Sequence, residues 1–419
     1  MKILAICDTP TEQTGFARVA QNLLPHWHAA GAEIDVWGIN YSGWPHKLPF
    51  RIYPASLGGP LPDFQKPDCL RALLERIARG QYDVLWFMGD LFWYAHSKFP
   101  EMLAAAAYTA HSKTFFYFPA DALIDPEWMA TLDAVDVPVA YTDYGLNQLP
   151  DTLRKRACVL PHGVNPHTYF PMSQDERQKI RAGLCSSDWI RPDDWLLVNV
   201  NQNQKRKDPS RTLQIFAQVL QLGLPVKLIM HMPPLSNDRS VDLRLVARQL
   251  GLEYSRHWIH TGDLFNLNRP KGGEEFLNRL YNAADLLIST TLGEGWGLST
   301  TEALAAGCPV AVPNHTGCQS VMAGLAERGS DSNSIPLPIE PGATVLPFDN
   351  SRIRHAVNVK TAVQDIALFL SQPENRTRSG LTPQALDWLS WPRIAEEWMQ
   401  LFRADRPRQT SKPPHDEET

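Results

Sequence analysis

Short apolar runs alternate with amphipathic stretches from the first residue onward, a pattern that predicts βα units building a parallel sheet. KILAIC, from Lys2, reads as a buried strand, and TGFARVAQNLLPHWHAAGA follows with Val19, Leu23 and Leu24 on one helix face. EIDVWGI, YDVLWFM, TFFYF and VPVAYT supply further strands with helices between them. Pro25 falls inside the first helix and is expected to kink or interrupt it. A proline-bearing stretch at 160–173, LPHGVNPHTYFPMS, reads as a linker, after which the alternation restarts. DWLLVNV, a helix from Pro209, VKLIMHM, a helix near 240, HWIHTGD, a helix near 274, DLLIST, a helix near 298 and CPVAVP then follow in turn. The expectation is an α/β protein of two doubly wound, Rossmann-like domains, at 1–165 and 174–385. A helix at 386–403, with Ile394, Trp398 and Leu401 at helical spacing, should pack back towards the N-terminal domain, and the charged 404–419 tail should be disordered.

Length agrees with two large domains, since 419 residues at roughly 150 per domain exclude a single small module. Apolar residues make up 43% of the chain, enough for sizeable cores. Forty Lys and Arg against 45 Asp and Glu leave a net charge of −5, which provides no global cationic field for a polyanion. No run approaches the roughly 18 apolar residues of a membrane span, and MKILAICDTP enters a strand directly instead of a basic leader. The expected location is cytoplasmic, with peripheral membrane contact through Trp-bearing loops left open. Six cysteines without CxxC pairs or metal spacing should be reduced and buried.

The stretch richest in chemistry is DLLISTTLGEGWGLSTTEALAAGCPVAVPNHTG at 285–317, a buried strand, a glycine-punctuated loop, a helix beginning near Gly297 and the next strand. Gly293, Gly295 and Gly297 let backbone approach a ligand, and the free amides of Gly297, Leu298 and Ser299 lie at the positive end of a helix dipole, which suits a phosphate. Glu294 sits in the loop; Glu302 lies one to two turns into the helix, where a carboxylate can accept two hydrogen bonds from a ribose diol. On spacing alone a plain turn and a solvated glutamate stay open. Upstream, the strand of DWLLVNVNQNQKRKDP runs into Asn201 and then Lys205, Arg206 and Lys207, cations able to neutralise a leaving diphosphate, with Lys207 the one expected to face the ligand.

Together, EGWGLSTTE, AAGCPVAVPNHTG, NQNQKRKDP, PHGVN and SWPRIAEEW resemble the retaining nucleotide-sugar glycosyltransferases of family 4, with the GT-B fold, in which two Rossmann-like domains face each other across a cleft. The resemblance covers most of 1–403 and is stronger in the C-terminal half. It implies an N-terminal acceptor domain and a C-terminal donor domain, Glu302 on the donor ribose, Glu294 at the donor sugar and Lys207 on the diphosphate. Asn201 stands where many members carry an arginine, so Arg206 or Lys205 would have to supply that charge. TEQTGFARVA resembles the family's glycine loop and places Gly15 towards the donor phosphates. FYFPADA offers Asp121 as the catalytic aspartate of a His-Asp pair, without the histidine. Base recognition is expected around Gly262, with His231 reaching the donor or capping its strand, and Trp296 is a candidate for stacking on sugar.

The implied reaction is transfer of a sugar from a nucleoside-diphosphate sugar to an acceptor hydroxyl with retention of configuration. Asp-x-Asp is absent from the sequence, so no metal is expected. The acceptor is unassigned among saccharide, lipid-linked saccharide, small molecule, protein and modified nucleobase. An epimerase of the same fold and a noncatalytic nucleotide-sugar-binding subunit are the alternatives.

Overall fold

The computed structural model describes residues 1–55, 67–95, 99–184, 189–235, 240–264, 273–330, 334–346 and 352–405. Two compact units emerge. The first comprises Met1–Ala120, Ile124–His162 and the C-terminal segment from Trp391; the second comprises Gly163–Ser390 together with Asp121–Leu123.

In the first unit seven strands form a sheet: β1 (Lys2–Asp8), β2 (Glu33–Ile39), β3 (Arg51–Pro54), β4 (Val84–Met88), β5 (Lys113–Phe118), β6 (Val137–Ala140) and β7 (Cys158–Val159). Their order is β3-β2-β1-β4-β5-β6-β7, and every neighbouring pair is parallel. β1 and β4 are apolar on both faces, as a sheet covered on two sides requires. The Gly15–Ala29 helix starts where Thr14 Oγ1 accepts the Ala17 amide and donates to Asp8 Oδ2, a side-chain N-cap. Of the kink or interruption expected at Pro25, the interruption does not occur: the helix runs through it. The missing amide removes one bond to the preceding turn, but Leu23, Leu24 and Trp27 on the same segment are completely buried, and that packing outweighs a penalty of about 3 kcal/mol.

Trp27 belongs to an aromatic core that the chain's last helix, Trp391–Arg403, completes. Its ring lies 5.0 Å from Trp86, 6.0 Å from Trp398 and 5.1 Å from Phe402, each edge to face. Ile394 and Trp398 are buried as their spacing predicts, whereas Leu401 is only half-buried and Phe402 takes the inward place beside it. His162 is also interior, its ring 4.2 Å from Tyr141 and 5.4 Å from Tyr117, and burial pushes its pKa down to about 3. The tail expected to be disordered lies, beyond residue 405, outside the described residues.

The second unit repeats the winding. β8 (Trp195–Val200), β9 (Val226–His231), β10 (Trp258–His260), β11 (Leu286–Ile288), β12 (Val310–Pro313) and β13 (Ser334–Leu337) are ordered β10-β9-β8-β11-β12-β13, all parallel. This 3-2-1-4-5-6 order reverses between β8 and β11, and ligands of such sheets settle beyond the strands' carboxyl ends at that reversal. An antiparallel hairpin, β14 (Ile339–Val345) with β15 (Ile353–Val357), is added after β13 and has no counterpart in the sequence expectation.

Candidate functional site

The two segments singled out by sequence leave the sheet at its reversal. NQNQKRK follows β8 and the glycine loop follows β11, so neighbouring strands deliver them side by side. Hydroxyls and amides lock them together: Asn199 Nδ2 donates to Thr212 Oγ1 (2.9 Å), Thr212 pairs with Thr290 Oγ1 (2.7 Å), and Thr290 Oγ1 donates to the Asp208 carbonyl (2.7 Å). Asp208 is held at φ 42°, a left-handed conformation that costs a non-glycine residue energy, and its carboxylate caps the Pro209–Gln221 helix. That strained turn sets the direction of the residue before it, Lys207.

Lys207 Nζ donates to Glu294 Oε1 at 2.5 Å. Arg206 donates to the Gly293 carbonyl at 2.6 Å, and the same nitrogen lies 3.8 Å from Glu294 Oε2 and 3.5 Å from Asp121 Oδ2. Lys207 and Glu294 are each only about an eighth exposed, at 13% and 12%, so both charges sit largely out of water, where pairing counts for more. Burial and then Arg206 lower the Lys207 pKa, with Glu294 opposing them. Burial would raise the Glu294 pKa, but Lys207 and then Arg206 hold it below its ordinary value, so this carboxylate is ionised at neutral pH.

The loop between them is shaped by close approach. A Cβ on Gly293 would lie 1.8 Å from the Asp121 carbonyl oxygen, and one on Gly317 would lie 2.5 Å from the carbonyls of Glu294 and Gly295. Gly297 has φ 95° and caps the Leu298–Ala305 helix without a side-chain bond. Its carbonyl accepts from the amides of Thr300 and Thr301, while the amides of Leu298 and Ser299 belong to the first turn, which has no preceding helical carbonyl to meet them. Glu302, one turn on, is buried at 3% exposure and accepts from Tyr281 Oη at 3.0 Å. The solvated reading of Glu302 is thereby excluded.

The remaining candidates are placed as follows. Asn201 is neutral and engaged, its amide nitrogen 3.0 Å from Asn199 Oδ1 and 3.3 Å from Ser289 Oγ. His231 is the last residue of β9 and Gly262 lies just past the end of β10; His231 Nδ1 is 3.0 Å from Thr261 Oγ1, and the Gly262 amide donates to His260 Nδ1. Trp296 is buried with its ring 5.8 Å from Trp388, so it packs against protein. Gly15 belongs to the first unit, at the start of the Gly15–Ala29 helix. Asp121 joins Arg206 in company the sequence did not suggest: Arg352 reaches its Oδ1 at 2.5 Å, and Arg354 reaches its carbonyl at 2.5 Å and its Oδ1 at 3.2 Å. Burial would raise the Asp121 pKa, but Arg206, Arg354 and Arg352 hold it well below the carboxylate range. The arginines come from β15 and the residue before it, an Arg-x-Arg spacing that puts both side chains on one strand face. Among the described residues no group of three or more His, Cys, Asp or Glu could hold a metal ion.

Residues 188–329 match the model of the family described as glycosyl transferases group 1. The chain is 28% identical over 251 residues to a D-inositol 3-phosphate glycosyltransferase of Actinosynnema mirum, covering 55% of this chain and 56% of that protein. A protein of the same name from Corynebacterium urealyticum is 24% identical over 259 residues, 59% of this chain and 57% of its own. The chain thus spans somewhat over half the length of the curated relatives it matches. Among solved structures, a sucrose-phosphate synthase from Thermosynechococcus elongatus superposes with a TM-score of 0.69 at 15% identity, over 96% of this chain and 98% of that one. The fold is therefore GT-B, two Rossmann-like α/β units in one chain, and residues 188–329 of its second unit are similar to the glycosyl transferases group 1.

Proposed function

We propose that this protein transfers a sugar from a nucleoside-diphosphate sugar to an acceptor hydroxyl, with retention of anomeric configuration and without a metal ion. One observation carries the reading: Lys207, Arg206 and Glu294 meet within 2.5 to 3.8 Å at the reversal of the second sheet, three residues before a glycine-capped helix start. In the proposed reaction the bond from anomeric carbon to phosphate oxygen breaks, adding one negative charge to the nucleotide's diphosphate and leaving positive charge on the sugar. Lys207, Arg206 and the amides of 298 and 299 oppose the first, supplying the charge a divalent ion would otherwise bring. The acceptor oxygen attacks from the side the nucleotide leaves, and its proton passes to the departing phosphate oxygen, so no side-chain base is needed. Glu294 orients Lys207 and faces the donor sugar; Glu302, braced by Tyr281, takes the ribose diol.

Both curated relatives are named D-inositol 3-phosphate glycosyltransferase, which makes phosphorylated polyols the first acceptors to try. The test is thermal stabilisation across UDP, GDP and ADP and their sugars, followed by product analysis in chelator. Stabilisation by one nucleotide family and transfer that persists in chelator is the expected result. Stabilisation by none of them, or transfer that requires added magnesium or manganese, overturns the corresponding part of the proposal.

A further inference from the structure

We infer that His315 is a positioning residue for Glu294: as a neutral imidazole just past the end of β12, it pins the glycine loop at Leu292 and so sets where the Glu294 carboxylate stands. The inference rests on the donor reading above. Gly293 and Gly295 flank Glu294 and leave its backbone few restraints of its own, so bonds from outside the loop must fix it. Those bonds come from the turn between β12 and the Thr316–Ala326 helix. His315 Nε2 lies 3.2 Å from the Leu292 carbonyl oxygen, which can only accept, so Nε2 carries the proton. The Leu292 amide donates in turn to the Arg206 carbonyl at 2.8 Å, so one residue ties this turn to the cation segment. On the far side of Gly293, the Glu294 amide donates to Thr316 Oγ1 at 3.2 Å, and the Glu294 carbonyl accepts from the Gly317 amide at 2.8 Å. Thr316 is held at φ 53°, a left-handed conformation that a β-branched residue rarely adopts. Such strain persists only where surrounding contacts over-determine it, and here the strained residue's hydroxyl meets the Glu294 amide.

The surroundings of His315 suit an uncharged ring. It is 8% exposed, and its Nδ1 is buried and makes no hydrogen bond among the described residues, so a second proton would have nothing to meet. Burial lowers its pKa; the Leu292 carbonyl and Glu294 oppose that, while His355 and Arg354 of β15 reinforce it. The His355 ring stands edge-on at 6.5 Å. Leu292 is itself buried, so removing the imidazole would leave its carbonyl unmet, and the loop would have to turn to find another donor. Leu292 stands two residues before Glu294, so that turn would carry the carboxylate out of its 2.5 Å contact with Lys207.

The experiment compares the full-length wild type with His315→Gln, whose amide nitrogen reaches the place of Nε2, and His315→Asn, whose amide nitrogen reaches only that of Nδ1. Steady-state transfer is measured for both, alone and in a Glu294→Gln background, with thermal midpoints alongside. His315→Asn is expected to lower kcat by about 10- to 100-fold with donor KM little changed, and His315→Gln to recover most of that loss. In the Glu294→Gln background His315→Asn should cost nothing further, since both changes strike one group. Imidazole nitrogen chemical shifts of the wild type should show His315 neutral and protonated at Nε2 at neutral pH, a readout that needs neither donor nor a folded variant. An Asn variant as active as the wild type, equal losses in the Asn and Gln variants, a loss undiminished in the Glu294→Gln background, or a ring protonated at Nδ1 overturns the inference and leaves the donor reading standing. If the wild type neither is stabilised by a nucleoside diphosphate nor transfers sugar, the donor reading fails and this inference with it.

Discussion

Lys207 and Glu294 are bonded to each other at 2.5 Å, yet removing either should have different consequences. Lys207→Ala removes a charge aimed at the leaving group and is expected to lower kcat by about 10²- to 10³-fold, read in steady-state kinetics with saturating donor. Glu302→Gln keeps the shape of the buried side chain but weakens its grip on a diol, so the donor KM should rise several-fold with kcat little changed. His162 gives a pH signature. Its folded pKa of about 3 is far below the value near 6.5 of an unfolded chain, so the unfolded state takes the proton first as pH falls. Stability is full above about pH 6.5 and is lost between there and pH 3, at up to about 1.4 kcal/mol per pH unit. Urea unfolding of the wild type and of His162→Phe across that range should show a flatter acid limb in the variant. Spacing put Lys207, Glu294 and Glu302 a few residues from a strand end or helix start and left a plain turn and a solvated glutamate open; the structure joins Lys207 to Glu294 and buries Glu302. Arg352 and Arg354 were not legible, because only the hairpin's return path brings them to Asp121, and no local pattern encodes a partner that distant in sequence.

The glycine loop is the element on which the site depends. Gly293→Ala would push a methyl group into the Asp121 carbonyl, and since both partners are backbone, nothing flexible can yield. Loss of several kcal/mol of stability, or of nucleotide-induced stabilisation if the loop shifts instead, is the expected outcome in thermal denaturation with and without nucleoside diphosphate. Gly297→Ala at φ 95° should cost a milder 1–2 kcal/mol or so. Strands with both faces apolar, such as β1, β4 and β8, were readable from sequence because continuous burial leaves a continuous apolar run. β14 was not: IEPGATV is half-buried to exposed and carries Pro and Gly, so it has neither the alternation nor the run that marks a strand. At Pro25 a local breaker does not end the helix, because its neighbours are buried.

At the level of the whole molecule, the fold class followed from two successive βα series separated by a proline-rich stretch, and both sheets have the doubly wound order that such series produce. The aromatic cluster joining Trp27, Trp86 and Trp398 makes the last helix integral to the first unit. Trp398→Ala should therefore cost about 3–5 kcal/mol and lower the urea midpoint of that unit. The chain leaves the first unit after His162 and re-enters it at Trp391. Just inside the second unit the outgoing and returning segments are stitched together: Val164 bridges Ser390, and its amide donates to the Leu389 carbonyl at 2.7 Å. In evolutionary and engineering terms the 163–390 stretch is a cassette whose two ends lie side by side. Excised as one polypeptide it would leave behind Asp121–Leu123, the second unit's other segment, and with it the carboxylate that Arg352 and Arg354 hold.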